Sequence, residues 1–253
     1  MEIDGFVHQH QVSDPPISAF LRSGNGPTLV LIPGTWGPAA HFEEAAKDLD
    51  PDLNLILLEV PGQGDNWPPP KNATMGMLTE YAYAALEHLG VERFYLGGHS
   101  LGGMMSVEML RICPDRLLGI IPIEGWTHHS VAEDAFHGAV TSTLNDEQMA
   151  RREDIRRQVL DRWDEDERLE FAKIWRRWDG YELLATTDVP VLEIWGDRGA
   201  PIPSLKDMKI PHRPNIDIHW VNGASHSLLM EAPGEVAAAI NRFIARIEET
   251  RQQ

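Results

Sequence analysis

The stretch Phe94-Tyr95-Leu96-Gly97-Gly98-His99-Ser100-Leu101-Gly102-Gly103-Met104 constrains this chain more than any other. It opens as a buried strand and closes as the start of a helix. Between the two stands Gly-x-Ser-x-Gly, Gly98 to Gly102. A strand that turns this sharply into a helix holds its central residue in strained backbone geometry and exposes the side chain. Glycines two before and two after let the neighbouring backbones pass closely. The helix N-terminus then points at Ser100, where its dipole favours a developing negative charge.

The rest of the chain supplies the sheet this turn needs. Short apolar runs predict strands over Val7–Val12, Ile17–Leu21, Thr28–Ile32, Asn54–Val60, Arg93–Gly97, Leu117–Ile123, Val191–Trp195 and Ile216–Val221. Asp14-Pro15-Pro16 reads as the turn between the first two. Helical patterns fall at His41–Leu49, Thr74–Gly90, Gly102–Ile112 and Pro233–Glu249. Strand and helix alternate, so an α/β fold follows: a mostly parallel eight-stranded sheet with helices on both faces. Residues 126–187 break the alternation with helix alone and read as a helical lid inserted after the sixth strand. The core is then 1–125 plus 188–253.

Composition narrows the partners. The 253 residues carry a formal charge of −17, which disfavours nucleic acid and anionic membranes. No apolar run approaches the roughly 20 residues of a membrane helix. The start MEIDGFVHQH has neither the basic region nor the apolar core of a signal peptide, so a cytoplasmic location is expected. The one cysteine, Cys113, lies in an apolar helical stretch and reads as a buried structural thiol.

Ser100 needs a base. Among the histidines, His226 stands in the loop after the last strand and before the last helix, at the same carboxyl edge of the sheet as Ser100. His8, His10 and His219 fall in strands, His41 starts a helix, His88 faces outward, and His99 packs within the turn. An oxyanion hole needs two backbone donors: Leu101 N–H, and one from the loop Pro33-Gly34-Thr35-Trp36-Gly37, with Thr35 preferred over Trp36.

Taken together, these residues resemble the α/β-hydrolase fold superfamily over nearly the whole chain. The resemblance implies the chain order Ser, acid, His. Two departures stand out. The loop after the third strand usually begins His-Gly, and here it begins Pro33-Gly34. The seventh strand usually ends Gly-x-x-Asp, with that aspartate as the acid. Here Gly196-Asp197-Arg198-Gly199 places a glycine at the acid's position. The alternative is Glu124, which ends the sixth strand 24 residues after Ser100. Some members, certain lactone hydrolases and haloalkane dehalogenases among them, carry their acid after this strand. Glu124 is therefore the expected acid, Asp197 the fallback, and a Ser–His dyad the remaining option. A purely structural Glu124 would instead pair with a lid arginine such as Arg176 or Arg177.

A serine nucleophile with a base and an oxyanion hole suits acyl transfer to water. The expected function is hydrolysis of a carboxylic ester or lactone through an acyl-enzyme on Ser100, with no cofactor. An amidase, a carbon–carbon bond hydrolase and a cofactor-free haloperoxidase or perhydrolase share the same triad. A ligand receptor on a hydrolase fold is the non-enzyme alternative. Aromatic side chains of the lid suggest a hydrophobic or ring-bearing small molecule, with Trp36, Trp126, His128, Phe136, Trp175 and Trp178 as expected pocket residues. His128, His129, Asp134 and His137 fit no metal-binding spacing, so no metal is expected. A homodimer is open.

Overall fold

Residues 29–32 show why the sheet is covered twice. Leu29 and Leu31 pack with one apolar cluster, while Val30 and Ile32 pack with another. Successive side chains of a strand point to opposite faces, so a continuous apolar run means both faces are buried. The computed structural model describes residues 2–9, 17–138 and 143–251. Its strands are β1 (Val7–Gln9), β2 (Ser18–Arg22), β3 (Thr28–Ile32), β4 (Asn54–Glu59), β5 (Phe94–His99), β6 (Leu117–Ile123), β7 (Val191–Gly196) and β8 (Ile216–Val221). They form one sheet in the order β1-β2-β4-β3-β5-β6-β7-β8. Only the β1–β2 and β2–β4 pairs are antiparallel; from β4 to β8 every pairing is parallel.

The helices are α1 (Glu43–Asp48), α2 (Met75–His88), α3 (Leu101–Ile112), α4 (Val131–Asp134), α5 (Asp146–Leu160), α6 (Glu165–Arg176), α7 (Tyr181–Thr186), α8 (Leu228–Glu231) and α9 (Pro233–Arg251). Leu78, Ala82 and Ala85 of α2 join Met105 and Met109 of α3 on the Val30 face. Ala45 and Ala46 of α1 join Val236, Ile240 and Phe243 of α9 on the Leu29 face. The apolar stripe of α9 is the one its sequence periodicity predicts. None of the helices among the described residues is long and apolar enough to cross a membrane.

Some boundaries differ from expectation. The expected helix at 41–49 starts as a 3-10 turn, Ala39–Phe42, before α1. The short α8 has no periodicity to announce it. Residues 10–16, which hold the end of the expected first strand, the turn after it and His10, lie outside the described residues.

Between β6 and β7 the chain adds α4 to α7. Two of these helices begin with reciprocal caps: Asn145 with Gln148, and Asp164 with Glu167. Val159, Trp163, Phe171, Ile174 and Trp178 carry the insert into the core on the α2–α3 side. Arg151 of α5 also ties down to Glu43 and Glu44 of α1, each at 2.8 Å. Cys113 is buried just after α3, and burial pushes its thiol up to about 11.

Glu193 lies inside β7 with no solvent exposure. Its Oε2 accepts the Trp195 indole N–H at 3.0 Å, and its Oε1 has no partner. Burial pushes its carboxyl up to about 8, so the folded protein holds this side chain neutral at pH 7. The folded state then binds a proton that the unfolded chain releases near 4.5, and stability drains away as pH rises between the two values. Thermal melts should show this. The Tm of Glu193→Gln minus that of the natural protein should widen in the variant's favour from pH 4.5 to pH 8, and a pH-independent difference would contradict it.

Candidate active site

The turn at Ser100 is strained as its sequence predicts, with φ 52° and ψ −111°. The backbone stays in the sheet up to this point: Ser100 N–H donates to the Ile123 carbonyl of β6 at 2.8 Å. The flanking glycines are required by contact. A methyl group on Gly102 would stand 2.0 Å from the Ile32 carbonyl oxygen, and one on Gly98 2.4 Å from the Gly102 carbonyl carbon.

The loop after β3 lies against the serine. A Cβ on Gly34 would sit 3.3 Å from Ser100 Cβ. Gly37 N–H donates to the Gly34 carbonyl at 2.9 Å, closing a turn with Thr35 and Trp36 at its tip. Trp36 takes φ 55°, an unusual conformation for a bulky residue. Buried Gln63 fixes the loop's base. Its amide N–H groups donate to the Pro33 and Gly34 carbonyls at 2.5 and 3.1 Å, while its oxygen accepts Val60 N–H at 3.0 Å. Buried Glu59 holds the loop's far end through Ala39 N–H at 2.7 Å; burial pushes its carboxyl up to about 7 against that bond.

His226 follows β8. Its loop is pinned by Ser225, whose N–H and hydroxyl both donate to Glu231 at 2.6 and 2.7 Å. His99, next to the serine, reaches the same loop: its Nε2 lies 2.7 Å from the His226 carbonyl. A carbonyl only accepts, so His99 carries its proton on Nε2. Burial, then the charge of His226, pushes the His99 imidazole down to about 3, which keeps it neutral.

Glu124 is fully buried at the end of β6, and its Oε2 lies 3.0 Å from His226 Nδ1. Burial alone would raise its carboxyl. Hydrogen bonds to His226 and Arg198, with their charges, outweigh burial and hold it below the ordinary range. An ionised carboxylate only accepts, so the His226 nitrogen facing Glu124, Nδ1, is the one that carries a proton, and in the neutral ring Nε2 is the acceptor. The cation beside Glu124 is Arg198, not Arg176 or Arg177. Arg198 Nη1 lies 2.7 Å from Oε1 and Nη2 2.5 Å from Oε2, and Gly196 N–H also donates to Oε1 at 2.8 Å.

Asp197 faces a different way. Its Oδ1 accepts Gly199 N–H at 2.8 Å and Gly223 N–H at 2.6 Å, which joins the loop after β7 to the loop after β8.

The model of the alpha/beta hydrolase family matches residues 29–239. The chain belongs to this family. Among curated relatives, the esterase YbfF of Escherichia coli K12 is 23% identical over 241 residues, covering 87% of this chain and 94% of that protein. A dihydrolipoyllysine-residue acetyltransferase component of an acetoin cleaving system from Pseudomonas putida is 29% identical over 102 residues. That match covers 40% of this chain and only 28% of the relative. Among solved structures, an N-acyl homoserine lactonase aligns with a TM-score of 0.76 at 18% identity, covering 96% of this chain and 97% of that one. At that identity the likeness carries the fold.

In this family member the expected pocket residues divide. Trp36 meets Trp163 and Trp175 edge-on at 6.1 and 6.0 Å, so the serine-side loop touches the insert. The Trp126 ring lies 5.6 Å from that of His226. Trp178 turns to α3 instead: its indole N–H donates to buried Glu108 at 2.8 Å, and its ring covers Gly180. Phe136 stacks on Trp195, with the Arg198 guanidinium 3.7 Å over its ring. His128 accepts Ser130 N–H at 3.2 Å, and the Ser130 hydroxyl donates to Asp134. Polar pairing takes up these side chains, which apolar periodicity does not reveal.

Sequence reasoning passed over Arg198, Gln63 and His99's bond to the His226 loop. The signal for Arg198 is in plain view: a carboxylate expected to be buried needs a counter-charge, and Arg198 stands in the loop after the next strand, between Asp197 and Gly199.

The two carboxylates predict opposite outcomes. Glu124→Gln should lower kcat by about a thousandfold or more, because an amide carries no charge to steady the imidazolium. It should also lower Tm, since Arg198 is left buried without a counter-charge. Asp197→Asn should cost less than about tenfold, because its amide oxygen accepts the same two bonds. Kinetics on folded variants would assign the acid to Asp197 if the second change were the crippling one.

Proposed function

We propose that the protein is a serine hydrolase that cleaves a carboxylic ester or lactone through an acyl-enzyme on Ser100. The observation that carries the proposal is the 3.0 Å contact of Glu124 Oε2 with His226 Nδ1, one loop away from a serine held at φ 52°. Family membership and the esterase relative support it.

The steps follow from the groups. His226 Nε2 takes the Ser100 proton as Oγ attacks the substrate carbonyl. The Glu124 carboxylate steadies the imidazolium that forms. Negative charge grows on the carbonyl oxygen where the α3 N-terminus points. Leu101 N–H and the Thr35 N–H, or that of Trp36, serve as its donors. The imidazolium then protonates the leaving alcohol, and a water activated by His226 releases the acid. Asp197 has no part in proton transfer. Residues 126–187 act as the lid, and Trp36, Trp126 and Trp175 favour an apolar or ring-bearing substrate over a charged one.

A fluorophosphonate probe tests the reading directly. The natural protein should be labelled at Ser100 and should hydrolyse some members of a graded panel of p-nitrophenyl esters and lactones. Ser100→Ala should lose both activities while keeping its Tm. An unlabelled serine in folded protein would favour a binding role for the fold.

A further inference from the structure

The loop after β7 supplies a cation to Glu124, and its placement is too costly to be incidental. The Arg198 side chain is 4% exposed and Glu124 is 0% exposed. Arg198 spends both terminal nitrogens on the carboxylate, one on each oxygen, and Nη1 also donates to the Gly196 carbonyl. The Phe136 ring covers its face at 3.7 Å, and its Nε has no partner. Removing two charges from water costs about as much as their attraction returns, so such a pair adds little stability on balance.

We infer that Arg198 is a positioning residue for the reaction: it clamps the Glu124 carboxylate in two places and, by sharing that charge with His226, sets how far activity extends into acid. The inference rests on the Ser100–His226–Glu124 reading. Oε2 is the shared atom, since it faces both Arg198 Nη2 and His226 Nδ1. A fixed cation beside the acid–base pair makes adding a proton to that pair harder, whichever of the two members takes it. The working base therefore survives to lower pH than it would beside a lone carboxylate.

The other charged and titratable groups around the pair leave Arg198 as the dominant cation. His99 on β5 is held neutral by burial. Glu193 on β7, raised to about 8, is neutral across the acid range. His41, beyond His99, is pushed down to about 4 by burial and then by Arg156 and Arg151. Glu231 on α8 is engaged by Ser225. The indole of Trp126, against His226, carries no charge.

The test measures kcat/KM against pH, and separately the pH dependence of fluorophosphonate labelling, for the natural protein and for Arg198→Met and Arg198→Lys. In the Met variant the acid limb of both profiles should move up by about one pH unit, with kcat falling and KM little changed. The Lys variant keeps the charge and loses the two-pronged grip. Its acid limb should stay near that of the natural protein while kcat falls partway. If the Met variant does not fold, Arg198→Gln takes its place, uncharged yet able to donate to Glu124. A folded uncharged variant with an unmoved acid limb would overturn the inference and leave Arg198 a packing residue. So would a Lys variant whose limb moves as far as that of the Met variant. Ser100→Ala is the control for the underlying reading: if it kept activity and labelling, the triad itself would fail, and the role of Arg198 with it.

Discussion

The buried carboxylate of Glu124 is the constraint around which this edge of the molecule is arranged. An ionised carboxylate without solvent is tolerated only when each oxygen is satisfied and the charge is matched. Here Oε1 accepts from Gly196 N–H and Arg198, and Oε2 accepts from Arg198 and His226. Glu193 makes the comparison on the neighbouring strand. It is equally buried, but it has one indole donor and no cation, and it holds its proton. Two buried glutamates on neighbouring strands thus differ in charge state: Glu124 has a cation and its full set of donors, while Glu193 has one indole donor and the nearby charge of Glu124 pushing it up.

Those partners come from adjacent strand ends. In a sheet ordered β5-β6-β7-β8, the loops after the four strands lie side by side. Ser100 follows β5, Glu124 ends β6, Arg198 follows β7 and His226 follows β8. Glu124 at the end of β6 meets His226, and the Arg198 guanidinium from the β7 loop lies against the same carboxylate. The same β7 loop keeps its own carboxylate, Asp197, for holding the β8 loop in position. Carboxylate, cation and tether are three separate residues, Glu124, Arg198 and Asp197, at the ends of two adjacent strands.

How much of this was legible in the sequence follows from the kind of signal each part leaves. The sheet was legible because burial on both faces writes uninterrupted apolar runs, as in Leu29 to Ile32 and Leu117 to Ile123. The strained turn at Ser100 was legible because close backbone approach admits only glycine at 98 and 102. Glu124 was legible as an anomaly, a charge at the end of an apolar strand. The Arg198 clamp was not, since a contact between side chains 74 positions apart has no period. The direction of Trp178 was hidden for a related reason. An aromatic residue at helical spacing states that it is buried, but Trp178 lies just past the end of α6, and only Glu108 on α3 decides which way its indole N–H points. Helix α8 was missed because a single turn is too short to show periodicity.

Backbone strain marks the same edge. Seven non-glycine residues have positive φ among the described residues, and four of them, Trp36, Ser100, Glu124 and Arg198, stand in the loops that form this site. Each such residue costs about 1–3 kcal/mol and persists only where its surroundings over-determine it. Three of the four are over-determined by backbone bonds. Ser100 N–H is held by the Ile123 carbonyl at 2.8 Å, Glu124 N–H by Ile194 at 2.9 Å, and Arg198 N–H by Ala224 at 2.9 Å. These bonds link each loop to its neighbour in strand order, β5 to β6, β6 to β7 and β7 to the loop after β8. The strained residues are therefore held in series. Ile123, which holds the Ser100 N–H, directly precedes Glu124; Ile194, which holds the Glu124 N–H, lies on the strand that leads to Arg198; and the Arg198 backbone is bonded to the loop that carries His226.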